Sequence, residues 1–220
     1  MRYLVVSATS LEIAPLSRAW NLSNLREGVV QHVGDLSVLV TGVGMMHTAF
    51  HLGRILETGS FDHVIQAGIA GAFHRELELA EVVEVISQQT ADLGFPTQNG
   101  FNDIFDMGLI SPDSEPYRNG RLSNISKQND MHPGLPKVSG VSVNSISSDE
   151  GTISAIISKY QPDVEVMEGV ALHYACLKKG LEYSEIRAVS NYVEPRNKSE
   201  WKIEEAVGAL NTYLMDWLKR

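Results

Sequence analysis

Tyr3-Leu4-Val5-Val6-Ser7, followed by Ala8-Thr9-Ser10-Leu11-Glu12 and then Ile13-Ala14-Pro15-Leu16-Ser17-Arg18-Ala19-Trp20, is the stretch from which the fold class is read. Its first five residues are apolar or β-branched without polar alternation, the signature of a strand buried on both faces. Ile13, Leu16 and Trp20 then recur at helical spacing after a short turn. Strand followed by helix is repeated along the chain. Val29–Val33 and Leu36–Thr41 flank Gly34-Asp35 as a hairpin, Gly42-Val43-Gly44 leads into a helix from Met45 to Leu56, and Val64–Ala67 reads as a strand. A glycine-rich turn is expected over Gly68–Phe73, then a strand over Ala80–Ser87. Further on, strands are expected at Val138–Val143, Val164–Val166 and Glu185–Ser190, and helices at Asp149–Lys159, Glu168–Lys179 and Glu200–Leu218. This alternation predicts an α/β sheet domain rather than a barrel of uniform hairpins. No linker divides residues 1–220, so one domain is expected. Five prolines between Thr90 and Lys137 break any long element there, and the segment is expected either to connect over the body or to cover the site.

Composition narrows the function. With 27 Asp plus Glu against 18 Lys plus Arg and a net charge of -9, the chain lacks the cationic excess of a nucleic-acid binder. No apolar run approaches the roughly 20 residues needed to cross a bilayer, and the N-terminus has no leader pattern, so neither a membrane partner nor export is expected. One cysteine, Cys176, cannot form an internal disulfide, which suits a cytoplasmic setting.

The chemistry is sought at strand ends, where open α/β sheets form their ligand crevice. Glu12 follows the first strand and Glu168 follows Val164-Glu165-Val166-Met167; each can act on water or hydroxyls, and each can equally be a helix cap. Gly42-Val43-Gly44 is either a tight turn or a loop whose amides face a ligand. His47 and His51 share a helix face, but without HExxH or clustered cysteines no metal site is expected. GxGxxG, GxxxxGK[ST] and GxSxG are all missing. Ser190-Asn191-Tyr192-Val193-Glu194-Pro195-Arg196 places amide, aromatic, acid and guanidinium groups directly after a strand.

Glu12, GVG at 42–44, AGIAGAF at 67–73, VMEG at 166–169 and RAVSN at 187–191, taken in order, resemble the nucleoside phosphorylase and nucleosidase superfamily. VMEG followed by SNYVEPRN is most similar to the futalosine hydrolases within it. The resemblance implies a three-layer α/β/α fold with a central mixed, twisted sheet, a homo-oligomer, a small purine nucleoside as substrate and no metal or organic cofactor. It implies that Glu12 activates the attacking water and that Met167 and Glu168 contact the ribose. Gly44, Ala70, Gly71, Phe73 and the VNSI residues Asn144, Ser145 and Ile146 are implied to border the pocket, and Arg196 is proposed to meet a distal carboxylate. Adenosine-type nucleosidases carry aspartate where this chain has Asn191. An amide there donates to N7 or O6 of a 6-oxopurine and stabilises the departing base without acting as an acid, so hydrolytic release of hypoxanthine from futalosine is expected. Arg187 is expected to be a structural residue at a strand end.

Overall fold

The computed structural model describes residues 1–97, 100–124, 131–195 and 198–219. Among them the order is β1 (Tyr3–Ser7), α1 (Ala14–Ala19), β2 (Val30–Val33), β3 (Leu36–Val40), α2 (Met45–Thr58), β4 (His63–Ala72), β5 (Val82–Thr90), β6 (Gly94–Thr97), β7 (Gly100–Asp103) and β8 (Leu122–Ser123). There follow β9 (Lys137–Ser142), α3 (Glu150–Tyr160), β10 (Val164–Val166), α4 (Gly169–Lys179), β11 (Glu182–Tyr192), a 3-10 turn (Lys198–Glu200) and α5 (Ile203–Leu218).

The main sheet is mixed and runs β10-β9-β5-β11-β4-β1-β3-β2, with β8 added beside β5. Period-two geometry sends alternate residues of the central strands to opposite faces, and both faces are covered. Val5, Ile65, Ile186 and Ala188 pack with Leu16 of α1 and Leu210 and Leu214 of α5, whereas Leu4, Val6, Val64 and Tyr183 pack with Leu52 of α2 and Leu172 of α4. This is the three-layer α/β/α arrangement, and it explains why β1 shows no polar alternation. Cys176 lies in the second of these clusters, fully buried, where desolvation pushes its thiol well above the ordinary range.

The sheet also closes on itself. β4 pairs with β11, β11 with β5, β5 with β9, β9 with β10, and β10 returns antiparallel to β4 through Val164↔Ala72 and Glu165↔Gly71. One edge of β4 therefore changes partner along its length: residues 63–66 pair with β1 and residues 71–72 with β10. Between these two pairings the edge is open, and the functional site forms at that gap.

Two expectations need correction. Gly68–Ala72 is not a turn, because β4 continues to Ala72. Its glycines instead leave room beside an extended strand. A Cβ at Gly68 would lie 2.3 Å from Arg187 Nη1 and 2.9 Å from Glu12 Oε1, and one at Gly71 would lie 2.9 Å from Val193 Cγ2 and 3.1 Å from Asn191 Nδ2. Arg187, read as a strand-end residue, lies in the middle of β11 and is 1% exposed. The described part of the proline-rich segment forms the β6–β7 hairpin and packs on the body. Lys159 of α3 bonds to Phe101 O and pairs with Asp103 at 3.0 Å, and Tyr117 meets Tyr174 of α4.

Candidate active site

A cavity of about 310 Å³ opens at the gap in β4. Glu12 from the β1–α1 turn, Ile69, Ala70 and Gly71 of β4, Met167 and Glu168 after β10, and Ser190 and Asn191 of β11 all line it, together with Val43, Ile146, Glu165 and Trp201.

Glu12 is held by its surroundings rather than by helix capping. Its Oε2 accepts from Thr9 N at 3.0 Å, Thr9 Oγ1 at 2.9 Å and Ser7 Oγ at 3.3 Å. Its Oε1 accepts from Ile69 N at 3.2 Å, an amide freed where β4 has left β1 and not yet met β10. From behind, Asn211 of α5 donates to the Glu12 carbonyl at 2.8 Å and accepts from Leu16 N at 3.0 Å. Asn211 thereby satisfies one of the N-terminal amides of α1, whose own N-cap residue, Ile13, makes no side-chain bond.

Glu168 occupies the N-cap position of α4 but does not cap it. Its Oε1 accepts from Gly44 N at 2.9 Å, across to the start of α2. With only 4% of the residue exposed, burial pushes this carboxyl above the usual range, and the charges of Glu12 and Glu185 add to the effect. Arg187 and the Gly44 amide pull the other way. Arg187 Nη1 stands 3.7 Å from Glu168 Oε2, while Nε donates to Glu185 Oε1 at 2.9 Å and Nη2 to Gln66 Oε1 at 2.9 Å. Burial opposes the Arg187 charge, but the three surrounding carboxylates more than restore it.

The other wall holds Asn191. The register between β11 and β4 shifts between Val189 and Asn191, a bulge that turns the chain locally. Ser190 Oγ donates to Asn191 Oδ1 at 2.8 Å and lies 3.2 Å from Ala70 O. Asn191 Nδ2 donates to Tyr192 O at 3.1 Å, which leaves one of its two N–H bonds for a ligand. Glu165 is fixed on the same side by Ser147, through its amide at 3.1 Å and its hydroxyl, and burial raises its carboxyl.

The structure thus brings Glu12, Ala70, Gly71, Ile146, Met167, Glu168 and Asn191 to one cavity. Gly44, Phe73, Asn144 and Ser145 do not line it. The Gly44 amide is spent on Glu168, Phe73 packs with Val141, Val143 and Ile156, and Asn144 is tied to Asp92 through its amide nitrogen at 3.2 Å. Arg196 lies outside the described residues. Sequence reasoning missed Thr9, Glu165 and Trp201 as parts of the site, and it quoted Ile69, Arg187 and Ser190 only within motifs, without a role in the site or its support. Of these, Glu165 and Arg187 carried a signal, each a charge inside a segment read as a strand. His47 and His51 are 2.9 and 3.4 Å from Glu27 Oε1, and among the described residues no group of three or more His, Cys, Asp or Glu is arranged to hold a metal ion.

Three buried carboxylates and an amide line one small cavity, and comparison with known proteins assigns the class of the chain. The phosphorylase superfamily pattern matches residues 2–216, so the chain belongs to that superfamily. It is 28% identical over 222 residues to futalosine hydrolase from Streptomyces coelicolor, covering 96% of this chain and 92% of the relative. The Thermus thermophilus futalosine hydrolase is 27% identical over 209 residues, with 94% and 91% covered. The fold matches 5'-methylthioadenosine/S-adenosylhomocysteine nucleosidase from Neisseria meningitidis with a TM-score of 0.79 at 16% identity over 99% of this chain and 98% of that one. It matches futalosine hydrolase of Helicobacter pylori with a TM-score of 0.77 at 15% identity, with 100% and 97% covered. The protein is an enzyme of glycosidase type, with nucleosidase activity at the level of the family. Among the described residues no helix is long and apolar enough to cross a membrane.

Proposed function

We propose that this enzyme hydrolyses the N-glycosidic bond of futalosine, releasing hypoxanthine and dehypoxanthine futalosine. One observation carries the reading: a single cavity is lined by the buried carboxylates of Glu12, Glu165 and Glu168 and by an amide at Asn191, the position at which the family resemblance implies an aspartate in adenosine-type nucleosidases. The names of the curated relatives support the same substrate.

Glu12, oriented by its donors, accepts a proton from water as the oxygen attacks the anomeric carbon. General-base assistance of this kind contributes about 10²–10⁴-fold. The C–N bond breaks with both electrons leaving on the base, and the ribosyl group is electron-poor at the transition state. Glu168 accepts hydrogen bonds from the ribose hydroxyls and Met167 packs against the sugar. The free N–H of Asn191 stabilises negative charge on the departing 6-oxopurine, a contact stronger in the transition state than in the substrate. The base then takes up a proton to leave as hypoxanthine. As written, the reaction calls for neither metal nor organic cofactor. A one-domain cytoplasmic homo-oligomer completes the proposal, supported by the lone buried Cys176 and by Met46 and Phe50, which are large apolar side chains exposed on α2.

Purified protein is incubated separately with futalosine and methylthioadenosine in phosphate-free buffer, and the released base is identified by chromatography. Hypoxanthine from futalosine is expected. Adenine from methylthioadenosine with no hypoxanthine from futalosine would overturn the substrate, and turnover only after adding phosphate would overturn hydrolysis.

A further inference from the structure

Behind the cavity lies a chain of buried polar groups that the chemistry above does not use. Glu185 is fully buried on β11, and besides Arg187 Nε its carboxylate accepts from Gln88 Nε2 at 2.8 Å and His173 Nε2 at 3.1 Å. His173 Nδ1 is in turn 3.1 Å from Tyr183 OH, which fixes the ring's orientation and makes Nε2 the donor when the tyrosine donates to Nδ1. No atom of Glu185, His173, Gln88 or Tyr183 lines the cavity.

One guanidinium thus faces three carboxylates, and its distances to them differ. Glu185 takes a direct bond at 2.9 Å, whereas Glu168 is left at 3.7 Å. We propose that Glu185, braced by His173 and Gln88, is a positioning residue that holds Arg187 on its own carboxylate and so keeps Arg187 from closing onto Glu168. The inference rests on the ribose-binding role proposed for Glu168. A carboxylate locked in a tight pair with Arg187 has fewer lone pairs for the sugar hydroxyls, whereas one left without any cation would stay protonated in this buried setting.

The charges follow the geometry. Burial works against ionising Glu185, yet Arg187, His173 and Gln88 together hold its carboxyl below the ordinary range. Glu168 is raised in the same cluster. The groups facing Glu168 are Arg187 and Glu185 from β11, Glu12 from the β1–α1 turn and the Gly44 amide at the start of α2. Removing the Glu185 charge acts on Glu168 twice in one direction, since it deletes a neighbouring negative charge and frees Arg187 to approach.

The test is a 13C NMR titration of glutamate-labelled, ligand-free enzyme, with the Glu168 signal assigned by its loss in Glu168→Gln. In Glu185→Gln, folded by circular dichroism, the Glu168 carboxyl is expected to titrate lower than in wild type by about one pH unit, roughly a tenfold change in its proton affinity. A smaller shift of the same sign is expected in His173→Gln, which also serves if Glu185→Gln does not fold. An unmoved Glu168 titration in the folded variant overturns the proposal. Because this readout needs no substrate, it survives a wrong choice of nucleoside. With the nucleoside that the wild type cleaves, Glu185→Gln should raise KM about tenfold more than it lowers kcat, and loss of kcat alone would indicate a purely structural role.

Discussion

At the residue scale, the site is defined by what each side chain has left over once the protein has used it. Glu12 receives four hydrogen bonds, so a change to Gln keeps its shape but removes the base and sets an amide N–H against those donors. Glu12→Gln is expected to lower kcat about 10²–10⁴-fold while preserving most binding, checked by turnover alongside calorimetric titration with substrate or product. Unchanged turnover would remove Glu12 from the mechanism. Asn191→Asp replaces with a carboxylate the free N–H that is proposed to face N7 and O6 of the base. It is expected to cost about 10²-fold or more in kcat/KM for futalosine with little change in melting temperature, and equal activity would defeat the base-recognition assignment. Gly68 tests the support. Its added methyl group meets Arg187 Nη1 at 2.3 Å, a side-chain end that is held by Glu185 and Gln66 and cannot swing aside. Gly68→Ala is expected to destabilise the fold by about 1–3 kcal/mol and to lower activity further than that loss explains, measured by urea unfolding and by kcat on the folded fraction.

At the element scale, the helices matter for what their ends and faces supply to the site. α4 presents Glu168 at its N-cap position, α2 offers the Gly44 amide, and α5 reaches through Asn211 to close the first turn of α1 and anchor the Glu12 backbone. Asn211→Leu matches the apolar surroundings but leaves the buried Leu16 N–H and Glu12 C=O unpaired. Each such loss costs about 1–3 kcal/mol. The variant is expected to be about 2–5 kcal/mol less stable by denaturant unfolding and to show reduced kcat, and stability within about 0.5 kcal/mol of wild type would mean that water replaces the amide. Strand β4 was legible in part: the run Val64–Ala67 reads as a strand, but the glycines after it read as a turn. Glycine carries both meanings, and only the neighbours Arg187 and Asn191 show that here it is an absence of Cβ, and not a positive φ, that is required.

At the scale of the whole molecule, the closed run of strands puts polar clusters at both ends. Opposite the cavity, His63 at the start of β4 and His132 each lie 2.9 Å from Ser184 Oγ on β11. Burial lowers His63 from 6.5 to about 4. The folded state therefore refuses a proton that the unfolded chain accepts, so stability is lost as pH falls from 6.5 to about 4 and the loss then levels off. The contribution over that window is about 3 kcal/mol. His63→Asn is expected to flatten the slope of unfolding free energy against pH across this range, and a slope equal to that of wild type would assign the effect to other groups.

The amino-acid sequence by itself determined the alternation of strand and helix, the double burial of β1, the start of α3 next to Asp149, the Gly34-Asp35 hairpin and the identity of Glu12, Glu168 and Asn191 as groups worth following. These are local properties, set by side-chain periodicity, turn chemistry and the order of short motifs along the chain. The tertiary structure decided where β4 exchanges β1 for β10, which frees the Ile69 amide for Glu12, and it decided that Arg187 lies beneath the two acids instead of at a strand end. It also left Phe73, Asn144 and Ser145 away from the cavity that their motifs suggested. Such facts depend on pairings between residues far apart in sequence, and on competition among buried groups for a few hydrogen-bond partners, and no window of neighbouring residues contains them.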